Sequence, residues 1–304
     1  MALRRVVVGG GTGFIGSSLV RALRSAGARV LIVCREPEQE NEISWEDVKR
    51  SGLPADISGV INVAGQNVLD PLKRWSPKFK EEVWDSRVQT TKILASAIVK
   101  TNAEVFTTIS GVAYYKPSDK IYTENTKCEK YDFLSELCHE WEAAAKLPIN
   151  CNIRQVVIRS GVVLGRTGGM IKQIFYPFYL GMGGPIGSGE QYMPWIHIND
   201  LCNLFIHVLI RSNVSGVLNG VAPQIITNEQ FTKAFAAALH RPALIPVPIP
   251  ILSLIFHPER AKIMTEGQKV VPKRVLETGF QYEYSTIVSA CKKFNKLFYI
   301  DELM

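Results

Sequence analysis

Residues 6–16 read VVVGGGTGFIG. Three β-branched residues in a row favour a strand, and the apolar spacing of Phe14, Leu19 and Leu23 just beyond predicts a helix over 14–26. Between them Gly10, Gly13 and Gly16 form the pattern G-x-x-G-x-x-G. Glycine at such positions permits a tight turn, lets backbone N–H groups approach an anion, and allows a helix to pack close to a strand. The N-terminus of the helix then faces that anion with its unpaired N–H groups. ARVLIVCR at 28–35 supplies a second strand, so the opening stretch is a βαβ unit with a phosphate-binding turn.

The alternation continues. GVINVAG (59–65), EVFTTIS (104–110) and RQVVIRSGVVLG (154–165) read as strands, with helices over about 78–100 and over FLSELCHEWEAAAK (133–146). Apolar strands separated by helices predict an α/β fold, a Rossmann-type doubly wound parallel sheet covered on both faces. After Gly165 the rhythm breaks into a glycine-rich excursion around MIKQIFYPFYL. We expect residues 1–220 to form the nucleotide-binding domain, with 166–194 reaching towards a smaller C-terminal, substrate-side lobe built from 221–304. In that lobe, ALIPVPIPILSLIF (243–256) reads as extended backbone followed by a short buried helix, too short and too proline-rich to span a membrane.

A chain of 304 residues with net charge +7, its 35 basic and 28 acidic residues spread along the whole length, lacks the basic block that tracks a nucleic-acid backbone. Six cysteines without a C-x-x-C pair signal neither a zinc ribbon nor a redox pair, and no metal site is expected. They read as reduced thiols in an intracellular, soluble protein. MALRRVVVGG leaves no room for a signal peptide ahead of the first strand. The cytoplasm is the plain expectation, with mitochondrion and nucleus left open; no nucleic-acid or membrane partner is expected, and the oligomeric state stays open, a homodimer included.

The end of the second strand discriminates between nicotinamide cofactors. NAD sites usually place a carboxylate there for the ribose 2′-hydroxyl, whereas NADP sites use a cation for the 2′-phosphate. Here Cys34 is followed by Arg35, which favours NADP; Glu36 keeps NAD open.

The glycine loop, INVAG (61–65), Ser110 followed by GVAYYK, and PWIHIND (194–200) together resemble the extended short-chain dehydrogenase/reductase superfamily. GGPIGSGEQYMPWIHIND and EGQKVVPKRVLETGFQY resemble most closely its atypical epimerase-like branch with a C-terminal domain of unknown function. The resemblance spans essentially the whole chain. It implies cofactor contacts from Gly10, Thr12, Gly13, Phe14, Ile15 and Gly16. It also implies that Cys34 and Arg35 hold the adenosine end, that Val63 and Ala64 pass along the dinucleotide, that Glu82 and Arg87 line the site, and that Val163 sits near the nicotinamide.

Members of that superfamily that perform hydride chemistry use a serine and a Tyr-x-x-x-Lys pair on one helix face, where the lysine lowers the tyrosine pKa for proton transfer. Ser110 stands at the expected strand end. Aligning Glu142 with the glutamate that follows the lysine by four residues, however, puts Leu134 at the tyrosine position and Cys138 at the lysine position. Leu134, Cys138, Trp141 and Ala145 read as a buried stripe, with Glu136, His139 and Glu140 towards solvent. Tyr114, Tyr115 with its neighbour Lys116, and His197 are the substitutes. Ser110, Tyr114 and His197 are therefore the candidate catalytic groups, each with a structural alternative. Two functions stay open: an NADP-dependent oxidoreductase or epimerase-like enzyme acting on a small polar substrate, and a non-catalytic NADP(H)-binding sensor or scaffold.

Overall fold

Val6, Val7 and Val8 are fully buried, as a strand covered on both faces requires. In the computed structural model, which describes residues 5–295, they lie in β1 (Arg5–Gly9). The chain continues through α1 (Phe14–Ser25), β2 (Arg29–Cys34), β3 (Glu42–Ser44), α2 (Trp45–Ser51), β4 (Gly59–Asn62), α3 (Pro77–Ile98) and β5 (Val105–Gly111). A 3-10 turn at Val112–Tyr114 precedes β6 (Ser118–Tyr122), α4 (Phe133–Ala144), β7 (Arg154–Ser160), β8 (Val162–Gly165), α5 (Gly169–Tyr179) and β9 (Trp195–His197). Then follow α6 (Ile198–Ile210), β10 (Gly216–Gly220), α7 (Asn228–Leu239), α8 (Ile249–Phe256), α9 (Pro258–Thr265), β11 (Gln268–Val270), α10 (Lys273–Glu277) and α11 (Ile287–Lys292).

Seven strands form one parallel sheet in the order β10-β7-β5-β4-β1-β2-β3. This is a Rossmann-like α/β sheet with helices on both faces, and the order reverses between β1 and β4, where such folds bind ligands. The segment 154–165, expected as one strand, is two. β7 stays in the main sheet, and at Gly161 the chain leaves it so that β8 can pair with β9. A side chain at 161 would lie 2.6 Å from the Pro194 carbonyl oxygen, so only glycine lets the two segments cross.

A second core joins the glycine-rich excursion to the tail: Ile171, Phe175 and Phe178 of α5 pack with Phe231 and Phe235 of α7. The tail also returns to the main sheet, where Val275 and Phe280 enter the core beneath it. There Arg274 donates to the carbonyls of Val217 at 2.6 Å and Ser215 at 2.7 Å. The expectation of a buried helix near 250 needs correction. In α8 only Leu252 is buried, because the helix packs one side against α9 and turns the rest of its apolar surface outwards.

The loop after β4 is tied down by α9. Arg260, 1% exposed, donates to the carbonyls of Lys73 at 2.7 Å and Asp70 at 2.6 Å. Glu259 accepts from Lys80 at 2.5 Å and from the Trp75 indole at 2.6 Å. Replacing Arg260 by Ala should cost about 3 kcal/mol, since two charge-assisted bonds are lost from a buried position. Trypsin should then cut faster at the exposed Lys73 and Arg74. An unchanged melting temperature and cleavage rate would show that α9 does not hold this loop.

Candidate nucleotide and catalytic site

The turn between β1 and α1 is closed by backbone contacts that exclude side chains. Gly10 has φ 75°, and a Cβ there would sit 2.6 Å from the Ala64 Cα. A Cβ on Gly16 would sit 2.0 Å from the Gly10 carbonyl oxygen. Gly13 is the N-cap of α1, with no side chain capping the helix and no acidic residue in its first turn. By contrast Ser44, Ser76, Asp132 and Thr227 cap α2, α3, α4 and α7 with their own side chains. The free N–H groups of α1 thus suit an external anion, and the turn fits the pyrophosphate of a dinucleotide. Thr12 is exposed beside them, and Phe14 and Ile15 are half-buried. The Phe14 ring fills a groove in the excursion, where a Cβ on Gly165 or Gly168 would lie 2.8 or 2.4 Å from it.

The ends of β2 and β4 carry the residues to which the resemblance gives the adenosine side. Cys34 is buried with its thiol 3.9 Å from Glu42, whose carboxylate also accepts from the Glu38 amide at 2.8 Å. Arg35 next to it is exposed. Val63 and Ala64 follow β4, the Ala64 amide donating to the Asn62 side chain at 3.1 Å. Arg87 reaches across from α3 to donate to the Gln66 carbonyl at 2.9 Å, and its guanidinium covers the Trp141 ring at 5.2 Å. Burial pulls its pKa down to about 10, which leaves it charged at neutral pH. Glu82 is exposed, about 140° around α3 from Arg87, so one helix face does not present both. Val163 lies half-buried in β8 and packs against the main core.

Around Ser110 and Tyr114 lies a buried polar network. Ser110, at the end of β5 and 3% exposed, donates its hydroxyl to Glu142 at 3.1 Å. Glu142 is clasped by Arg159 through two bonds of 2.7 and 2.8 Å, and Arg159 also donates to the Tyr115 hydroxyl at 2.9 Å. Tyr115 donates in turn to Asn219 at 2.8 Å. Burial pushes the Tyr115 phenol up to about 12. Tyr114 is sandwiched between the Arg159 guanidinium, 3.3 Å from its ring centre, and the His139 ring at 4.3 Å. His139 is not turned to solvent as expected: its ring nitrogens meet the carbonyls of Ser135 and Cys128, which pins the loop before α4 to the helix.

Ser110 and Tyr114 therefore share one network, whereas His197 lies elsewhere. It caps α6, its Nδ1 accepting from the Asn199 amide at 3.2 Å, and its ring packs between Tyr284 and Phe294. Burial lowers its pKa to about 3, so it stays a neutral cap rather than a titrating group at neutral pH. Cys138, to which the resemblance gives the lysine position, stands beside Gly111, and burial, reinforced by Glu142, pushes its thiol up to about 12. Leu134 is half-buried one turn before it. Arg159 and Asn219 were not foreseen as site residues. The available signal was an arginine directly after the apolar run VVI (156–158) of β7, a charge that must find a partner when that part of the strand is buried.

Glu142→Gln should destabilise the fold by about 3–5 kcal/mol, because it leaves Arg159 buried without its counter-charge; a melting temperature within a degree or two of the parent would contradict the role given to this pair. His197 supplies a pH test. Its folded pKa lies below the unfolded value, so the unfolded chain takes up the proton first as pH falls. The stability it contributes is complete above the unfolded pKa of about 6.5 and drains away towards pH 3. His197→Asn should flatten the fall in melting temperature between pH 7 and 4.5; an unchanged slope would exclude His197 as its source.

Residues 6–219 match the NAD dependent epimerase/dehydratase family, and residues 247–294 match a domain of unknown function, DUF1731. The chain is 47% identical over 292 residues to the human epimerase family protein SDR39U1, covering 95% of this chain and 99% of that protein. The mouse protein is 50% identical over 293 residues, covering 95% and 98%. The crystal structure of human SDR39U1 (isoform 2) with NADPH superposes with a TM-score of 0.94 at 46% identity, covering 97% of this chain and 100% of that one. A UDP-glucose 4-epimerase from Thermotoga maritima, at 15% identity with a TM-score of 0.75 over 96% of this chain and 97% of its own, shares the fold. The chain belongs to the NAD dependent epimerase/dehydratase family.

Proposed function

We propose that the chain is an NADP(H)-dependent oxidoreductase or epimerase-like enzyme of the short-chain dehydrogenase/reductase superfamily, with a small-molecule substrate held between the sheet and the C-terminal lobe. The observation that carries this reading is the uncapped, acid-free N-terminus of α1 behind Gly10 and Gly16, with Arg35 exposed at the end of β2. The NADPH in the crystal structure of human SDR39U1 supports it. The six cysteines are all free thiols, which suits a reducing compartment.

When bound, NADPH supplies a hydride. The residues of this chain do the rest. The α1 amides hold the pyrophosphate, and Arg35 pairs with the 2′-phosphate. Gly10, Gly13 and Gly16 bring backbone within reach of the cofactor, and Phe14, held by Gly165 and Gly168, keeps the excursion against that turn. Arg87 places a cation beside Cys138, where the superfamily's lysine would stand. Ser110 gives its proton to Glu142 and so offers oxygen lone pairs to a substrate hydroxyl.

A second reading, a non-catalytic NADP(H) sensor or scaffold, is favoured by one observation. Leu134 and the protonated Cys138 occupy the tyrosine and lysine positions, and neither transfers a proton at neutral pH. A single set of measurements separates the two. NADPH should raise the melting temperature, and Arg35→Ala should weaken NADPH about 10- to 100-fold while changing NADH little. Equal losses for both nucleotides would remove Arg35 from 2′-phosphate recognition. With a broad panel of carbonyl compounds, NADPH oxidation above the free-cofactor rate supports the enzyme. Binding with no turnover on any of them supports the sensor.

A further inference from the structure

The C-terminal lobe turns an apolar face outwards. Of the sixteen large apolar side chains exposed among the described residues, nine fall in two stretches, 176–182 and 244–255. Leu254 is 86% exposed and Leu244 82%, with Ile245, Ile249, Ile251 and Ile255 each between 45% and 57%. The two stretches lie side by side. Ile245 and Val247 donate backbone bonds to the carbonyls of Gly183 and Pro185, and Gly187 donates to Val247 at 3.0 Å. Pro246, Pro248 and Pro250 stiffen the crossing, so this face is set before anything covers it.

Within the stretches that carry this face the charges are of one sign, with Glu190, Glu229 and Glu259 lying beyond its edges. No Asp or Glu occurs in 143–189 or in 230–258. Lys172 is exposed one turn before Tyr176, and Arg241 lies exposed over the Tyr179 ring at 5.0 Å. In α8 the one polar side chain is Ser253, so the face lacks the directional hydrogen-bonding groups of an ordinary protein interface. A second copy docked through the same face would bring Arg241 and Lys172 against one another, with no carboxylate in either stretch to pair them.

We propose that α8 and the adjoining 180–187 and 243–249 segments form a docking face for an anionic lipid surface. The aliphatic side chains enter the headgroup boundary while Lys172 and Arg241 pair with lipid phosphates. This is peripheral attachment: no helix among the described residues is long and apolar enough to cross a membrane. The elements that carry the face touch the loop after β4, since Gln173 on α5 donates to the Leu69 carbonyl and α9 holds the same loop through Arg260. The attachment does not depend on whether the nucleotide site turns over.

Flotation of the full chain with phosphatidylcholine vesicles, with and without phosphatidylserine, tests this. The chain should float with the phosphatidylserine vesicles, less with phosphatidylcholine alone, and less again at high salt. The double variant Ile251→Glu, Leu254→Glu changes two exposed positions and should keep the parent melting temperature, yet bind these vesicles at least about tenfold more weakly. Failure of the parent chain to float with phosphatidylserine vesicles at low salt would overturn the proposal, as would undiminished flotation of the double variant. A dimer in sedimentation analysis that the double variant converts to monomer would also overturn it, assigning the face to a second copy.

Discussion

The Glu142–Arg159 ion pair sets the positions of the groups around it. Both side chains are withdrawn from water, at 15% and 4% exposure, and neither charge is tolerable there without the other. Their bidentate contact fastens α4 to β7, and the remaining bonds of Arg159 and Glu142 place Tyr114, Tyr115 and Ser110. From Tyr115 the network passes to Asn219 on β10. There Glu124 accepts from the Asn219 and Arg274 amides at 3.1 Å each, joining the sheet to the C-terminal segment. One buried charge pair thus orders the residues at the ends of β5 and β7 and the start of the returning tail.

The two parts of the candidate site are built by different means. At the turn between β1 and α1 the backbone does the work, and the glycines at 10 and 16 are required by contacts that a single methyl group would break. On the side where the superfamily moves a proton, side chains are committed to one another. Ser110 donates to Glu142, Tyr114 is covered on both ring faces, and Cys138 is held as a thiol. The turn that suits a pyrophosphate therefore rests on geometry fixed by the fold, while the polar groups around Ser110 are already engaged in structure.

The opening βαβ unit was legible because its signals are local: a β-branched run, glycines whose spacing admits one kind of turn, and apolar residues at helical intervals. The reading of Leu134 and Cys138 at the tyrosine and lysine positions rests instead on the family resemblance, which spacing within the helix extends from Glu142. Neither route found Arg159 as the partner of Glu142, because nothing within either segment states that β7 and α4 will lie together. The break at Gly161 was equally hidden, as its cause is the Pro194 carbonyl, more than thirty residues away in sequence. His197 looked reactive on residue type, and only tertiary packing revealed a buried helix cap. Composition also misplaced α8: an apolar segment was expected to be inside, yet burial depends on what surrounds a helix, and most of this one is left uncovered.

The central claim is that the backbone cradle and Arg35 make an NADP(H) site despite the absent tyrosine and lysine. Calorimetric titration of NADPH and of NADH into the full chain tests it most directly. The account predicts one site per chain, with NADPH bound at least about tenfold more tightly than NADH through the added phosphate contact. No binding of either nucleotide, or equal affinity for both, would contradict it.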